Sequence, residues 1–218
     1  MRLRNNPRAM EIIQQHKDIV IFRPQDFKGK WHQYLNEHGE NSANSPIHVE
    51  LGMGRGKFIT TNGLLHRDIN FIGIDLRAEV ILSALQKVLD NELSNVLFLP
   101  LNIANIQDAF DIGEVDTLYI NFCDPWPKVR HSKRRLTHKL FLEKYKSILS
   151  NNGEIIFKTD SRDLFEFSLS EFSDMGFDIV DKTFDLNNGD YPDNITTEYE
   201  EKFMKMGIKI NRLKAVKK

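Results

Sequence analysis

A single cysteine, Cys123, stands in 218 residues, which excludes an internal disulfide and a thiolate zinc cluster and fits a reducing compartment. No apolar run approaches the ~20 residues that a membrane-spanning helix needs. The opening MRLRNNPRAM has arginines but no apolar core or small-residue cleavage site behind them, which argues against a secretory leader. The expectation is a soluble, cytoplasmic protein without a membrane partner. Internal repeats and low-complexity tracts are missing, and one well-cored domain accounts for this length and for an apolar fraction of 40%. The seven histidines show no metal-ligand spacing, so no metal is expected.

Net charge is almost missing too, at −1, but the charges are segregated along the chain. Residues 126–146 hold eight cations against one acid, Glu143, and residues 202–218 hold seven cations and no acid. Between them, residues 160–201 carry thirteen acids against Arg162 and Lys182. Two basic runs, together with Arg2, Arg4 and Arg8 at the start, point to a polyanionic partner.

What is present is alternation. Apolar runs, several rich in β-branched residues, fall at 46–51, 70–75, 95–101, 115–122, 153–158 and 177–184, with a long C-terminal run within 202–215. Segments 56–66, 77–91, 137–150 and 161–175 have helical period; in the second, Val80, Ile81, Ala84, Leu85, Val88 and Leu89 recur at i, i+3, i+4. This predicts an α/β fold with a mostly parallel seven-stranded sheet and helices on both faces. The last two strands have no helix of clear period between them, so they are expected as an antiparallel pair at the sheet edge. The polar stretch HGENSANSP (38–46) reads as the link between a basic N-terminal arm, residues 1–37, part helical or disordered, and a single domain over 38–218.

In such a sheet the ligand lies beyond the carboxyl ends of the strands. After the first strand comes ELGMGRGKF, with Glu50 on the strand and Gly52, Gly54 and Gly56 in the turn. The phosphate-binding pattern G-x-x-x-x-G-K-[ST] fails, because Leu51 stands for its first glycine and Phe58 follows Lys57. The dinucleotide pattern is weak, with Lys57 at its third glycine. S-adenosylmethionine (SAM) suits the turn better, since a carboxylate at Glu50 attracts its ammonium and would repel a pyrophosphate. Asp75 and Asn102, ending the next two strands, offer partners for ribose hydroxyls and an adenine edge. Asp124, in DPWP after the fourth strand, completes the series, and both Asp124 and Trp126 precede prolines that favour extended backbone.

NFCDPWPKVRHSKRRL (121–136), with VELGMGRG upstream and TTEYEEKF downstream, resembles the TrmB-type tRNA (guanine-N7-)-methyltransferase family over nearly the whole chain. The resemblance implies a class I SAM-dependent methyltransferase (Rossmann-like) fold and transfer of a methyl group from SAM to N7 of guanine-46 in the tRNA variable loop. It implies that Glu50, Asp75, Asn102 and Asp124 surround SAM, with Asp124 also catalytic. Many family members carry Glu at the position of Asp75 and Asp at that of Asn102. Lys128, Asp160 and the run Thr197, Glu198, Tyr199, Glu200 would meet the guanine nucleotide. Arg130, His131, Ser132, Lys133, Arg134 and Arg135 would meet the RNA. The family includes monomers and homodimers, and either state is compatible with the chain. The alternative is a SAM-dependent methyltransferase of another RNA base or of a small molecule.

The chemistry limits the role of Asp124. Guanine N7 carries a lone pair and no proton, so the transfer needs alignment and charge stabilisation rather than a general base. Guanine's N1–H and 2-amino group form a paired donor edge that one carboxylate among Asp124, Asp160, Glu198 and Glu200 can accept.

Overall fold

The computed structural model describes residues 6–39, 41–42, 44–192 and 194–218. Arg2 and Arg4 of the basic start, Asp193 of the acidic run, and Glu40 and Ala43 of the 38–46 link lie outside the described residues.

Seven strands form one sheet: β1 (Ile47–Leu51), β2 (Asn70–Asp75), β3 (Val96–Pro100), β4 (Val115–Asn121), β5 (Leu149–Thr159), β6 (Phe177–Thr183) and β7 (Asn211–Lys217). Their order is β3-β2-β1-β4-β5-β7-β6, with β1 to β5 parallel and β7 antiparallel to both of its neighbours. The expected antiparallel C-terminal pair is present at one end of the sheet, with β6 outermost and β7 between it and β5.

Alternation along the strands separates two cores. Ile72 and Ile74 of β2 and Leu97 and Leu99 of β3 point to one face, with Trp31, Tyr145 and Phe165. Phe71, Val96 and Phe98 point to the other, with Ile59, Ile81 and Leu85. The helices that contribute to these cores are α1 (Ala9–Ile13), α2 (Trp31–His38), α3 (Lys57–Leu65), α4 (Ala78–Asp90), α5 (Ile106–Ala109), α6 (Lys139–Ile148) and α7 (Arg162–Asp174). Of the six apolar positions read from the period of α4, five are buried, while Leu89 is 39% exposed at the last turn.

The last helix corrects the sequence reading. α8 (Glu198–Lys205) occupies the start of what was read as the C-terminal strand. Its apolar content is low, and what starts it is a cap: Thr197 accepts from the Glu200 N–H at 3.0 Å, and the Glu200 carboxylate accepts from the Thr197 N–H at 3.3 Å. The basic C-terminal run is also not a free surface. Lys209 pairs with Asp185 (3.1 Å), Arg212 with Asp181, Lys214 with Glu154 (2.6 Å) and Lys218 with Asp178 (3.6 Å), so three acids of the acidic run, together with Glu154, pair with four of the basic run's seven cations.

The N-terminal segment is sewn onto the sheet. Ile21 N–H donates to Phe98 O at 2.9 Å and Phe98 N–H to Ile19 O at 2.8 Å, which covers part of the exposed edge of β3. Trp31 is wholly buried, its indole N–H donating to Ala109 O at 2.7 Å. The buried Glu114, just before β4, accepts from the backbone N–H of Gly29 (3.0 Å), Trp31 (2.9 Å) and Asp111 (2.9 Å). Glu114→Ala strands these donors, and at ~1–3 kcal/mol for an orphaned buried polar group the expected loss in urea unfolding is about 2–4 kcal/mol. Proteolysis should open first within residues 28–38, and an unchanged digestion pattern would contradict the role given to Glu114.

Candidate active site

The strand order reverses between β1 and β4, and there the carboxyl ends of two parallel strands diverge around a cleft of about 360 Å³. Its floor is Glu50, Leu51 and Asn121. One wall is the turn 52–57, another Asp75 and Arg77 after β2, and the rim is formed by residues 122–126, Arg134 and Thr197 to Tyr199.

Glu50 is 3% exposed. Its Oε1 accepts from Asn121 Nδ2 at 3.0 Å, while Glu50 Oε2 and Asn121 Oδ1 are buried with no partner among the described residues. Burial pushes the Glu50 carboxyl up to about 8, with the Asn121 hydrogen bond and then Lys158 opposing the rise. Two unmet acceptors at the base of a cleft form a receptacle for a cationic donor.

The turn supplies the approach. Gly52 and Gly54 have φ of +74° and +55°, and a side chain at either would begin in open space with no atom within 4 Å. Gly56 does a different job: at φ +77° it starts α3, and a Cβ there would sit 2.4 Å from that of Ala84, so it sets the packing of α3 on α4. Asp75 lines the cleft and its Oδ1 accepts from the Arg77 N–H at 3.1 Å. This donor set fits SAM: unmet acid and amide oxygens for an ammonium, open glycines for close approach, and a carboxylate on the next strand for ribose hydroxyls. Asn102 stands apart; it is exposed, is not among the cleft-lining residues, and its Oδ1 caps the turn Ile103–Asn105 by accepting from Ala104 N–H at 3.0 Å.

Asp124 is exposed at the rim. Beside it Cys123 is pushed up to about 12, chiefly by burial and then by Asp124, with a smaller contribution from Asp160, so the thiol is inert and both acids lie around it. Asp160, following β5, and Lys128 are exposed and are not among the lining residues. Trp126 departs from the expected extended backbone: its φ is +41°, and Phe122 is at +50°. Non-glycine residues with positive φ are uncommon, and such strain costs about 1–3 kcal/mol each unless the surroundings hold it. Here Arg135 donates to Pro125 O (3.2 Å) and twice to Trp126 O (3.1 and 3.4 Å), and the Arg134 guanidinium lies 4.9 Å from the Trp126 ring centre.

The basic run therefore divides. Arg135 is 8% exposed and faces inward, with its guanidinium 4.3 Å from the ring centre of Phe167 on α7. Arg130, Lys133 and Arg134 are exposed, and His131 and Ser132 half-buried. Among the described residues no ion pair involves Lys128, Arg130 or Lys133.

The other rim is also held from beneath. Lys158, at the end of β5 and 1% exposed, donates to Glu200 Oε2 (2.7 Å), Asn194 Oδ1 (3.1 Å) and Ile195 O (3.0 Å). Burial lowers the Lys158 pKa and Glu200 beside it works against that. Glu200 also accepts from Asn194 Nδ2 at 2.6 Å, so its carboxylate is saturated, whereas Glu198 and Tyr199 next to it are exposed and line the cleft. Lys57 at the start of α3 pairs with Glu201, tying the same helix across the cleft. Asn121 and Phe58, which line the cleft, and Lys158, which holds its rim from beneath, were not read from the sequence; each sits inside an apolar run that reads as plain strand or helix, and only the spatial pairing distinguishes it. Among the described residues no cluster of His, Cys, Asp and Glu is arranged to hold a metal ion, and no helix is long and apolar enough to cross a membrane.

Residues 44–213 match a family model described as "Putative methyltransferase". The chain is 46% identical over 216 residues to a tRNA (guanine-N(7)-)-methyltransferase of Streptococcus equi subsp. zooepidemicus, with 99% of each chain covered. It is 45% identical to the protein of that name in Halalkalibacterium halodurans, covering 99% of this chain and 95% of the relative. Among solved structures, the 16S rRNA methyltransferase KamB superposes with a TM-score of 0.61 at 10% identity, over 84% of this chain and 91% of that one. A structure titled as an antibiotic-related methyltransferase superposes with a TM-score of 0.60 at 20% identity, over 84% and 90%. At these identities the two structures bear on the fold alone, and it is the fold of class I SAM methyltransferases.

Two outcomes follow from the buried charges. The folded chain keeps the Glu50 proton between about pH 4.5 and about 8, where the unfolded chain has released it. This contribution to the stability of the ligand-free protein falls as pH rises through that window; below about pH 6.5 it is opposed by buried His48, lowered to about 4, so the net fall should appear between about pH 6.5 and 8. Glu50→Gln should flatten the fall, raise the ligand-free Tm at pH 8 and weaken SAM binding roughly tenfold or more by calorimetry; a wild-type Tm that climbs from about pH 6.5 to 8 relative to that of Glu50→Gln would refute the assignment. Lys158→Met leaves the Glu200 carboxylate buried without its cation, a loss of ~3–5 kcal/mol for such a pair. Hydrogen exchange should rise first in residues 194–205, and unchanged protection there would show that Lys158 does not hold this rim.

Proposed function

The chain belongs to the tRNA (guanine-N(7)-)-methyltransferase family, and from that premise we propose which of its residues carry the transfer and which guanine they act on. It is a SAM-dependent methyltransferase whose acceptor is N7 of a guanine in tRNA. By likeness to the family the acceptor is guanine-46 of the variable loop. The observation that carries the assignment of roles is the pair of unmet acceptors, Glu50 Oε2 and Asn121 Oδ1, at the floor of a cleft whose rim is Asp124.

When bound, SAM supplies a methyl group on a sulfonium. Glu50 and Asn121 hold the ammonium end, Gly52 and Gly54 admit it against the backbone, and Asp75 takes ribose hydroxyls. N7 presents an in-plane lone pair and no proton, so no side chain acts as a general base. The methylated purine gains positive charge, and Asp124, exposed at the rim, stabilises that charge and aligns the base. Base identity is read by a carboxylate with acceptor capacity to offer. The saturated Glu200 is a poor reader, which leaves Asp124, Asp160 and Glu198, all exposed, for the N1–H and 2-amino edge. Tyr199, 57% exposed and 6.3 Å from the Phe122 ring in stacked orientation, offers a face to the base. Lys128, Arg130 and Lys133 engage phosphates, so binding is expected to weaken steeply with salt.

Transfer of tritium from labelled SAM into bulk tRNA of a strain lacking the activity, followed by aniline cleavage at N7-methylguanosine, tests the reading. Label should enter tRNA, with cleavage at position 46. Asp124→Asn should lower kcat by roughly 10²–10³-fold, the scale of losing a preorganised electrostatic group. Label at another base, or an Asp124→Asn enzyme with wild-type kcat, would refute the reading.

A further inference from the structure

The family resemblance gives the basic run 130–135 one collective role, contact with RNA, and the geometry of its last member does not suit that role. Arg135 is 8% exposed, against Arg130 and Lys133, which are exposed. Its Nε and Nη2 point back at the DPWP turn, donating to Pro125 O at 3.2 Å and Trp126 O at 3.4 and 3.1 Å. Its guanidinium face is covered by Phe167 at 4.3 Å. A buried, planar, doubly bonded and stacked guanidinium has little left to offer a phosphate.

The turn it grips needs holding. Trp126 takes φ +41° directly before Pro127, a position where proline favours extended backbone, and Phe122 takes +50° on the other side of Asp124. Two strained residues bracket the carboxylate at the cleft rim, and the carbonyl groups on its carboxyl-terminal side converge on one guanidinium. A single donor fork that satisfies two adjacent carbonyls fixes the orientation of the peptide between them.

We propose that Arg135 is a positioning residue of the transfer reaction, locking the DPWP turn and with it Asp124 against α7, and that the RNA-facing part of the run lies upstream of it. This rests on the methyl-transfer reading above. Its consequence is a division by chemistry: losing Arg135 misplaces a carboxylate, whereas losing Lys133 removes a phosphate partner.

The test compares Arg135→Lys, Arg135→Met and Lys133→Ala with wild type in three measurements. These are kcat at saturating tRNA, tRNA Kd as a function of salt, and ¹⁹F spectra of protein labelled with 5-fluorotryptophan, in which Trp31 and Trp126 are the two tryptophans. Arg135→Lys keeps the charge but loses the fork, and should lower kcat roughly 10–100-fold, the scale of a misplaced reacting group. Its tRNA Kd should stay within about threefold and its salt slope should be unchanged, while the Trp126 resonance shifts and that of Trp31 does not. Lys133→Ala should reduce the magnitude of the salt slope by about 1 and leave the fluorine spectrum alone. A reduced salt slope in both Arg135 variants with kcat preserved would overturn the proposal, and so would an unshifted Trp126 resonance. Should Arg135→Met fail to fold, Arg135→Lys carries the test. Wild type without tRNA methylation would fail the reading of function instead, and the Trp126 resonance, which needs no activity, would still decide the role of Arg135.

Discussion

One hydrogen bond, from Asn121 to Glu50 across the seam between β1 and β4, marks the constraint on which the site depends. A parallel sheet whose strand order reverses must leave a gap beyond the carboxyl ends of two neighbouring strands, and β1 and β4 are those strands. The gap puts a carboxylate and an amide side by side, satisfies one bond between them and leaves one oxygen of each unmet. Burying an unpaired carboxylate is unfavourable, and Glu50 answers by holding its proton up to about 8. The ligand-free cleft thus stores an electrostatic demand that a cationic ligand relieves.

The two rims of the cleft share a principle, since each hangs from a buried cation facing inward. Lys158 holds the 194–201 segment from below through Glu200, Asn194 and Ile195. Arg135 holds the DPWP turn through two carbonyls. Nine cations of the described residues show three different environments. Two are internal struts, four of the C-terminal ones pair with acids of the 154–185 region, and Lys128, Arg130 and Lys133 face water. Charge that is free locally, as at the third group, is hidden in a net figure, which is why a formal charge of −1 is compatible with a tRNA substrate.

Local patterns in the chain were reliable wherever a residue's neighbours in space are its neighbours in sequence. The period in residues 78–90 marked the buried face of α4, missing only at Leu89, where the helix end meets solvent. The glycines after β1 were readable as a close-approach turn, although Gly52 and Gly54 open on the cleft while Gly56 packs on Ala84. α8 escaped notice because its apolar face is thin and its stability comes from the Thr197–Glu200 cap and the long-range bond of Glu200 to Lys158. Trp126 departs from the proline rule at a carbonyl that Arg135, nine residues on, grips with two hydrogen bonds, a long-range partner that local pattern does not show.

The sequence by itself determined the alternation of strands and helices and the ladder of polar groups at successive strand ends, because period and spacing are properties of consecutive residues, while the family was legible only as a resemblance carried by the motif at 121–136 and its flanking segments. Tertiary structure decided which charges are free. Lys158 and Lys133 are both lysines in the sequence, yet one is 1% exposed under a cap and the other is solvated. The same holds for Glu50 against Glu198 and for Arg135 against Arg130. Desolvation and partner choice depend on what packs across tens of residues, and these set whether a charged side chain binds a ligand, holds a turn or cancels another charge.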